Sequence, residues 1–176
     1  MFRRQEEPIE WFLKNREARL FSHAEVLELA ENRITHDTLQ NWANRKYIEP
    51  KIEGGKRRYS PGEAATVILA DPLVQRIGMD PSKATAAMAY AMGTLDRQIG
   101  VLKRTKIRDA KRVIAVYRDM DLALIDERGT ARQMFNEPTT DEPGKPPGDA
   151  FAVVPLGRLL DALASKMRKR VDERGA

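Results

Sequence analysis

Cysteine is absent from the 176 residues, and histidine occurs only twice. Disulfides, zinc fingers, iron–sulfur clusters and thiol nucleophiles are thereby excluded. With only His23 and His36 available, no nucleophile–base pair is legible, and the chain reads as no enzyme. Asp119, Asp121 and Asp126-Glu127 form a carboxylate cluster that turn and strand-edge solvation explains. Aromatic residues are scarce at 6%. The longest largely apolar stretch, Ala84 to Leu95, is Ala-rich, carries Thr85, Tyr90, Gly93 and Thr94, and is too short to span a bilayer. The first ten residues lack an apolar run of the signal-peptide kind. A cytoplasmic, nucleoid-associated protein with no membrane partner, no cofactor and no metal is the expectation.

What is present suits a folded chain: 41% hydrophobic and 32% charged residues. The length suits one domain or two small ones. Lys and Arg number 31 against 26 acids, a net charge of +5. The excess is local. Residues 1–71 hold 12 basic and 12 acidic groups, residues 72–136 hold 12 and 7, and residues 137–176 hold 7 and 7. Such a balance is compatible with a polyanion partner without demanding one.

Helix signals are explicit. Residues 1–20 read as an N-terminal arm or short helix around Trp11, Phe12 and Leu13. Ser22 and Glu25 form a capping box, with Phe21 placed to staple onto Val26. That helix ends near Glu31-Asn32, where Asn32 tolerates a left-handed turn. A second helix starts at Thr35, with Asp37 in its first turn. Leu39 and Trp42 share its apolar face and read as structural, while His36, Gln40, Asn41, Asn44 and Arg45 point elsewhere. Two short helices joined by about four residues are a helix-turn-helix candidate. The segment from Tyr47 to Glu53 is extended, Gly54-Gly55 makes a hairpin turn, and Lys56-Arg57-Arg58-Tyr59 returns as a wing. Ser60 to Glu63 is another capping box with Pro61 at the first helical position. Asp71-Pro72 interrupts or restarts that helix, and Asp80-Pro81 starts the next.

From there Ala84, Met88, Met92, Leu95, Ile99 and Leu102 advance by threes and fours, close to a heptad stripe. Two readings of the stripe stay open: a homodimer seam through Met88, Met92, Leu95, Ile99 and Leu102, or an internal core face covered by the C-terminal helix. After Lys111 the pattern turns β-branched. Strands are expected at 112–118, 122–125 and 151–154, with a Pro-rich loop over 136–149. An amphipathic helix follows from Leu156 to Met167, and the tail is expected to fray. The fold class is mainly α: an N-terminal winged helix-turn-helix over 21–79, a linking or dimerisation helix over 80–109, and a small C-terminal α+β segment over 110–176.

The helix-turn-helix, wing and next helix carry the functional reading. An α-helix fits the major groove, where donor and acceptor patterns distinguish the bases. Gln40, Asn41 and Asn44 suit base edges, and His36 and Arg45 the backbone. Lys56, Arg57 and Arg58 bring cations to phosphates, Arg58 above all, while Tyr59 reads first as a core or backbone-packing residue, with its hydroxyl a further candidate for a phosphate. These residues resemble the mercury-resistance-regulator (MerR) family of winged helix-turn-helix proteins. The resemblance rests on Ser22 and Glu25, on Thr38-Leu39 with Trp42, on Pro50, on Arg57-Arg58-Tyr59-Ser60 and on Gly78. It covers about Phe21 to Met79. The first turn lacks the family's usual Gly and is longer, and Gln40 stands where the family commonly has Arg. The resemblance implies a bacterial transcriptional regulator that binds double-stranded DNA as a homodimer. The role of residues 110–176 stays open between a small-molecule and a protein effector. Two alternatives stand beside a regulator: an excisionase-like or phage-type architectural factor that bends DNA, and a winged-helix protein-interaction module.

Overall fold

Local caps and prolines set where the helices begin. The computed structural model describes residues 6–101, 106–118, 121–126 and 151–175. Helix α1 is Pro8–Asn15, α2 is His23–Leu29, α3 is His36–Asn44, α4 is Pro61–Ile77, α5 is Pro81–Gly100 and α6 is Leu156–Gly175. Pro8, Pro61 and Pro81 each open a helix, where a locked φ and a missing N–H cost nothing. Both capping boxes form. The Ser22 and Ser60 backbone N–H groups each donate to the Glu three residues on at 2.8 Å. Helix α4 runs through Asp71-Pro72 without a break, so the interruption read from the sequence does not occur. Ile68, Leu69 and Leu73 around it are buried, and that packing outweighs the roughly 3 kcal/mol that an internal proline costs a helix.

Among the described residues there are two three-stranded antiparallel sheets. The first orders β1 (Phe21–Ser22), β3 (Lys56–Tyr59) and β2 (Lys51–Glu53) with β3 in the middle. Phe21 pairs with Tyr59, and Glu53 with Lys56 across a Gly54-Gly55 turn whose φ angles are +56° and +75°. Two consecutive positive φ values are what a tight hairpin of right-handed twist requires. The second sheet orders β5 (Asp121–Asp126), β4 (Val113–Arg118) and β6 (Phe151–Val154) with β4 central, close to the three expected strands. A 3₁₀ turn, Ile107–Arg112, leads into β4. The Pro-rich loop over 136–149 lies outside the described residues.

One buried cluster unites these parts, from Ile9 and Phe12 of α1 to Leu160 and Met167 of α6. The N-terminal arm is therefore helix and core, packed on α6. Of the two readings of the α5 stripe, burial favours the internal face. Met88, Met92 and Leu95 are buried within a single chain, Ile99 is half-buried, and Leu102 lies outside the described residues. They are covered by α4, the 3₁₀ turn and β5, whereas α6 packs chiefly on α1. Each such side chain contributes about 1.5–3 kcal/mol of burial, so the chain itself satisfies Met88, Met92 and Leu95. The C-terminal helix is also longer than expected and ends at Gly175. Its outer turns are held by ion pairs with α2, which a reading of the tail alone cannot contain.

Candidate nucleic-acid interface

Helices α2 and α3 are joined by a turn with two left-handed residues, Glu31 at φ +55° and Asn32 at +56°. Each helix ends in the same way. Glu31 N–H donates to the Glu28 carbonyl and Asn32 N–H to Leu27, a Schellman closure. Lys46 N–H donates to Ala43 and Tyr47 N–H to Trp42 in the second, with Lys46 at φ +60°. Glycine is the usual residue at such positions, and both carry a charged side chain instead. Thr35 caps α3 by accepting from the Thr38 N–H at 3.1 Å.

The phase of α3 follows from Leu39 and Trp42, both buried as read from the sequence. Gln40, Asn41, Asn44 and Arg45 are exposed, as is His36. On a 100° helical wheel Asp37 and Asn44 sit opposite the buried pair, Gln40 and Asn41 flank them, and His36 and Arg45 are at the margins. Asp37 was missed as a member of this face, although its side chain is 91% exposed.

The hairpin is latched to α3. Arg57 donates to Asn44 Oδ1 at 2.6 Å. Arginine can only donate, so the Asn44 oxygen accepts this bond with one of its two lone pairs, and its amide N–H groups stay available as donors. Alternation along β3 puts Arg57 and Tyr59 on one side and Lys56 and Arg58 on the other. The structure thus joins Arg57, not Arg58, to the helix. Tyr59 is the core residue of its first reading, and its hydroxyl is turned inward and not toward a phosphate. It is fully buried, and its hydroxyl shares a 3.0 Å hydrogen bond with His23 Nδ1. Ile52, opposite Arg57 in the register, is 68% exposed and unforeseen.

His23 was not among the expected site residues. It heads α2, and its ring centroid lies 4.5 Å from that of His36 at the head of α3. Burial first, then the charges of His36 and Arg57, holds the His23 imidazole below its usual value. Burial also pushes the Tyr59 phenol up. No local pattern joins two histidines thirteen positions apart, so only the packing of the two helix starts reveals them.

The acids of α2 face away from this group. Glu25 meets Arg174 and Arg170, Glu28 meets Arg170, and Glu31 meets Lys166, all on α6. Arg174 also donates to the Leu20 carbonyl at 2.7 Å and lies 5.6 Å from the Phe21 ring centre. Burial raises the Glu25 carboxyl, but the Ser22 hydrogen bonds and the two guanidinium groups together hold it below its ordinary value. The charges of the net-neutral N-terminal part are therefore segregated. Arg45, Lys46, Lys51, Lys56, Arg57 and Arg58 cluster at the end of α3 and on the hairpin, against Asp37, Glu49 and Glu53 there.

No family model matches the chain, and no characterised protein or solved structure matches it. Among the described residues, no helix is long and apolar enough to cross a membrane.

Proposed function

We propose that this chain is a sequence-reading DNA-binding protein of the winged helix-turn-helix kind, a transcriptional regulator similar to the MerR family. The observation that carries the reading is the segregation of charge around α3. Glu25, Glu28 and Glu31 are occupied by α6, while a polar helix face and a latched hairpin stand among six cations. Polar side chains at a helix surface suit base edges, and the cations suit phosphates. Asn44, with its oxygen held by Arg57, reads as a donor to a purine N7 or a guanine O6.

The homodimer remains part of this proposal, with its seam moved. The outward side of α5 exposes Ala86, Ala89 and Tyr90, the last at 65%, and Val101 at the C-cap is 74% exposed. A second copy meets the first there.

Selection of bound duplexes from a random pool tests the reading. The expected result is enrichment of two half-sites spaced by about one helical turn, roughly 10 base pairs. Absence of any enrichment, together with no salt-dependent binding to duplex DNA, overturns it. One feature favours the protein-interaction reading: Asp37 places a carboxylate in the middle of the proposed reading face. Asp37→Asn separates the two. It strengthens binding to all duplexes if DNA is the partner and has no such effect if a protein is.

A further inference from the structure

The two histidines of the chain are thirteen residues apart, yet their rings lie 4.5 Å apart where α2, α3 and the hairpin converge. His36 is the outer of the two, with 65% of its side chain exposed. His23 is the inner one. Its Nδ1 is engaged by the Tyr59 hydroxyl at 3.0 Å, its Nε2 is buried, and the His36 backbone acts on the ring through a hydrogen bond.

The surroundings carry charges of both signs. Facing the pair are Tyr59 and Arg57 from β3 and Asp37, whose carboxylate lies 3.5 Å from His36 Nδ1. Glu63, at the head of α4, acts on Tyr59. A proton on His23 is opposed by the neighbouring ring and by Arg57, since like charges disfavour each other at this range. A phosphate placed against the outer ring adds a second opposite charge to that of Asp37. An opposite charge within about 4–6 Å favours the protonated form, typically by one to three pKa units.

We infer that His23 and His36 form a proton-linked phosphate site, at which a backbone phosphate of duplex DNA binds against His36 with uptake of one proton by the pair. The inference rests on the DNA-binding reading and adds to it a ligand atom, a residue and a dependence. His36 touches the phosphate. His23 is a positioning residue that shares the proton and ties the site to Tyr59 in the core. Affinity for duplexes of any sequence then rises as pH falls, by up to about tenfold per pH unit for one proton taken up.

The test uses a random 20-base-pair duplex at fixed ionic strength, with the full chain. Fluorescence anisotropy gives Kd between pH 5.5 and 8.0 for the parent, His36→Gln and His23→Gln. Gln keeps a hydrogen-bonding amide and cannot titrate. The parent is expected to bind at least about tenfold more tightly at pH 6.0 than at pH 7.5, and each variant less than about threefold. A second measurement does not depend on the variants folding. With only two histidines, each imidazole gives a resolvable NMR titration in the parent, and added duplex should move at least one of them to higher pKa. Variants that keep the parent's pH slope, or imidazoles that titrate identically with and without DNA, overturn the site while DNA binding stands. A parent that binds no duplex at any pH removes the DNA-binding reading itself.

Discussion

Gly157 and Gly93 are both helical, yet replacing each with alanine should have opposite effects. Gly157 lies in the first turn of α6, against the 3₁₀ turn. A Cβ built there falls 2.7 Å from the Lys111 carbonyl carbon and Cα, and closer still to the Ala110 carbonyl oxygen. These are main-chain atoms and cannot rotate away. The variant must push α6 off the turn, and overpacking of this sort costs about 1–3 kcal/mol. Helix propensity returns at most about 1 kcal/mol, and less at a helix end, so Gly157→Ala should lose roughly 1–2 kcal/mol net. Gly93 lies within α5, and its added Cβ would meet only the Arg16 guanidinium at 3.7 Å, an ordinary contact. Gly93→Ala should gain up to about 1 kcal/mol from propensity alone. The two variants therefore separate by about 2–3 kcal/mol, near 2–4 °C of melting temperature per kcal/mol for a chain of this size. Urea unfolding followed by the fluorescence of Trp11 and Trp42 reads both. A Gly157→Ala protein as stable as the parent would show that α6 does not seat on the 3₁₀ turn.

Leu95→Glu should unfold the chain, because Leu95 is fully buried and the new carboxylate finds no partner. Tyr90→Glu, on the outer side, should melt within about 0.5 kcal/mol of the parent and sediment as a monomer; a folded Leu95→Glu protein refutes the inward stripe. Lys46→Gly should stabilise by about 0.5–1 kcal/mol by relieving a left-handed side chain. The same change should weaken binding to all duplexes and lower the salt slope by about one unit. Without DNA, stability should decline as pH falls below the ordinary histidine value of 6.5. The His23 pKa is depressed in the fold, so the unfolded chain takes up the proton first and stability is complete only above that value. His23→Gln should remove this part of the decline, and equal melting curves for parent and variant between pH 7.5 and 6.0 speak against it.

Short-range chemistry was legible from the residues alone. The capping boxes at Ser22 and Ser60, the proline starts, the Gly54-Gly55 hairpin and the β-branched run at 113–118 all depend on neighbours a few positions away. The burial of Leu39 and Trp42 followed from helical periodicity for the same reason, and with it the polar face of α3. Tertiary structure decided what periodicity cannot. A stripe such as Met88, Met92 and Leu95 demands burial but does not say against what, and α4 supplied the cover within one chain. Pro72 breaks a helix only where packing is too weak to hold it. The tail of α6 frays in isolation and is ordered by carboxylates more than 130 positions earlier. His23 and His36 came side by side, and the Tyr59 hydroxyl found His23, because two helix starts and a strand end meet in space. Contacts of that kind join residues with no shared period, so they are settled only when the whole core has packed.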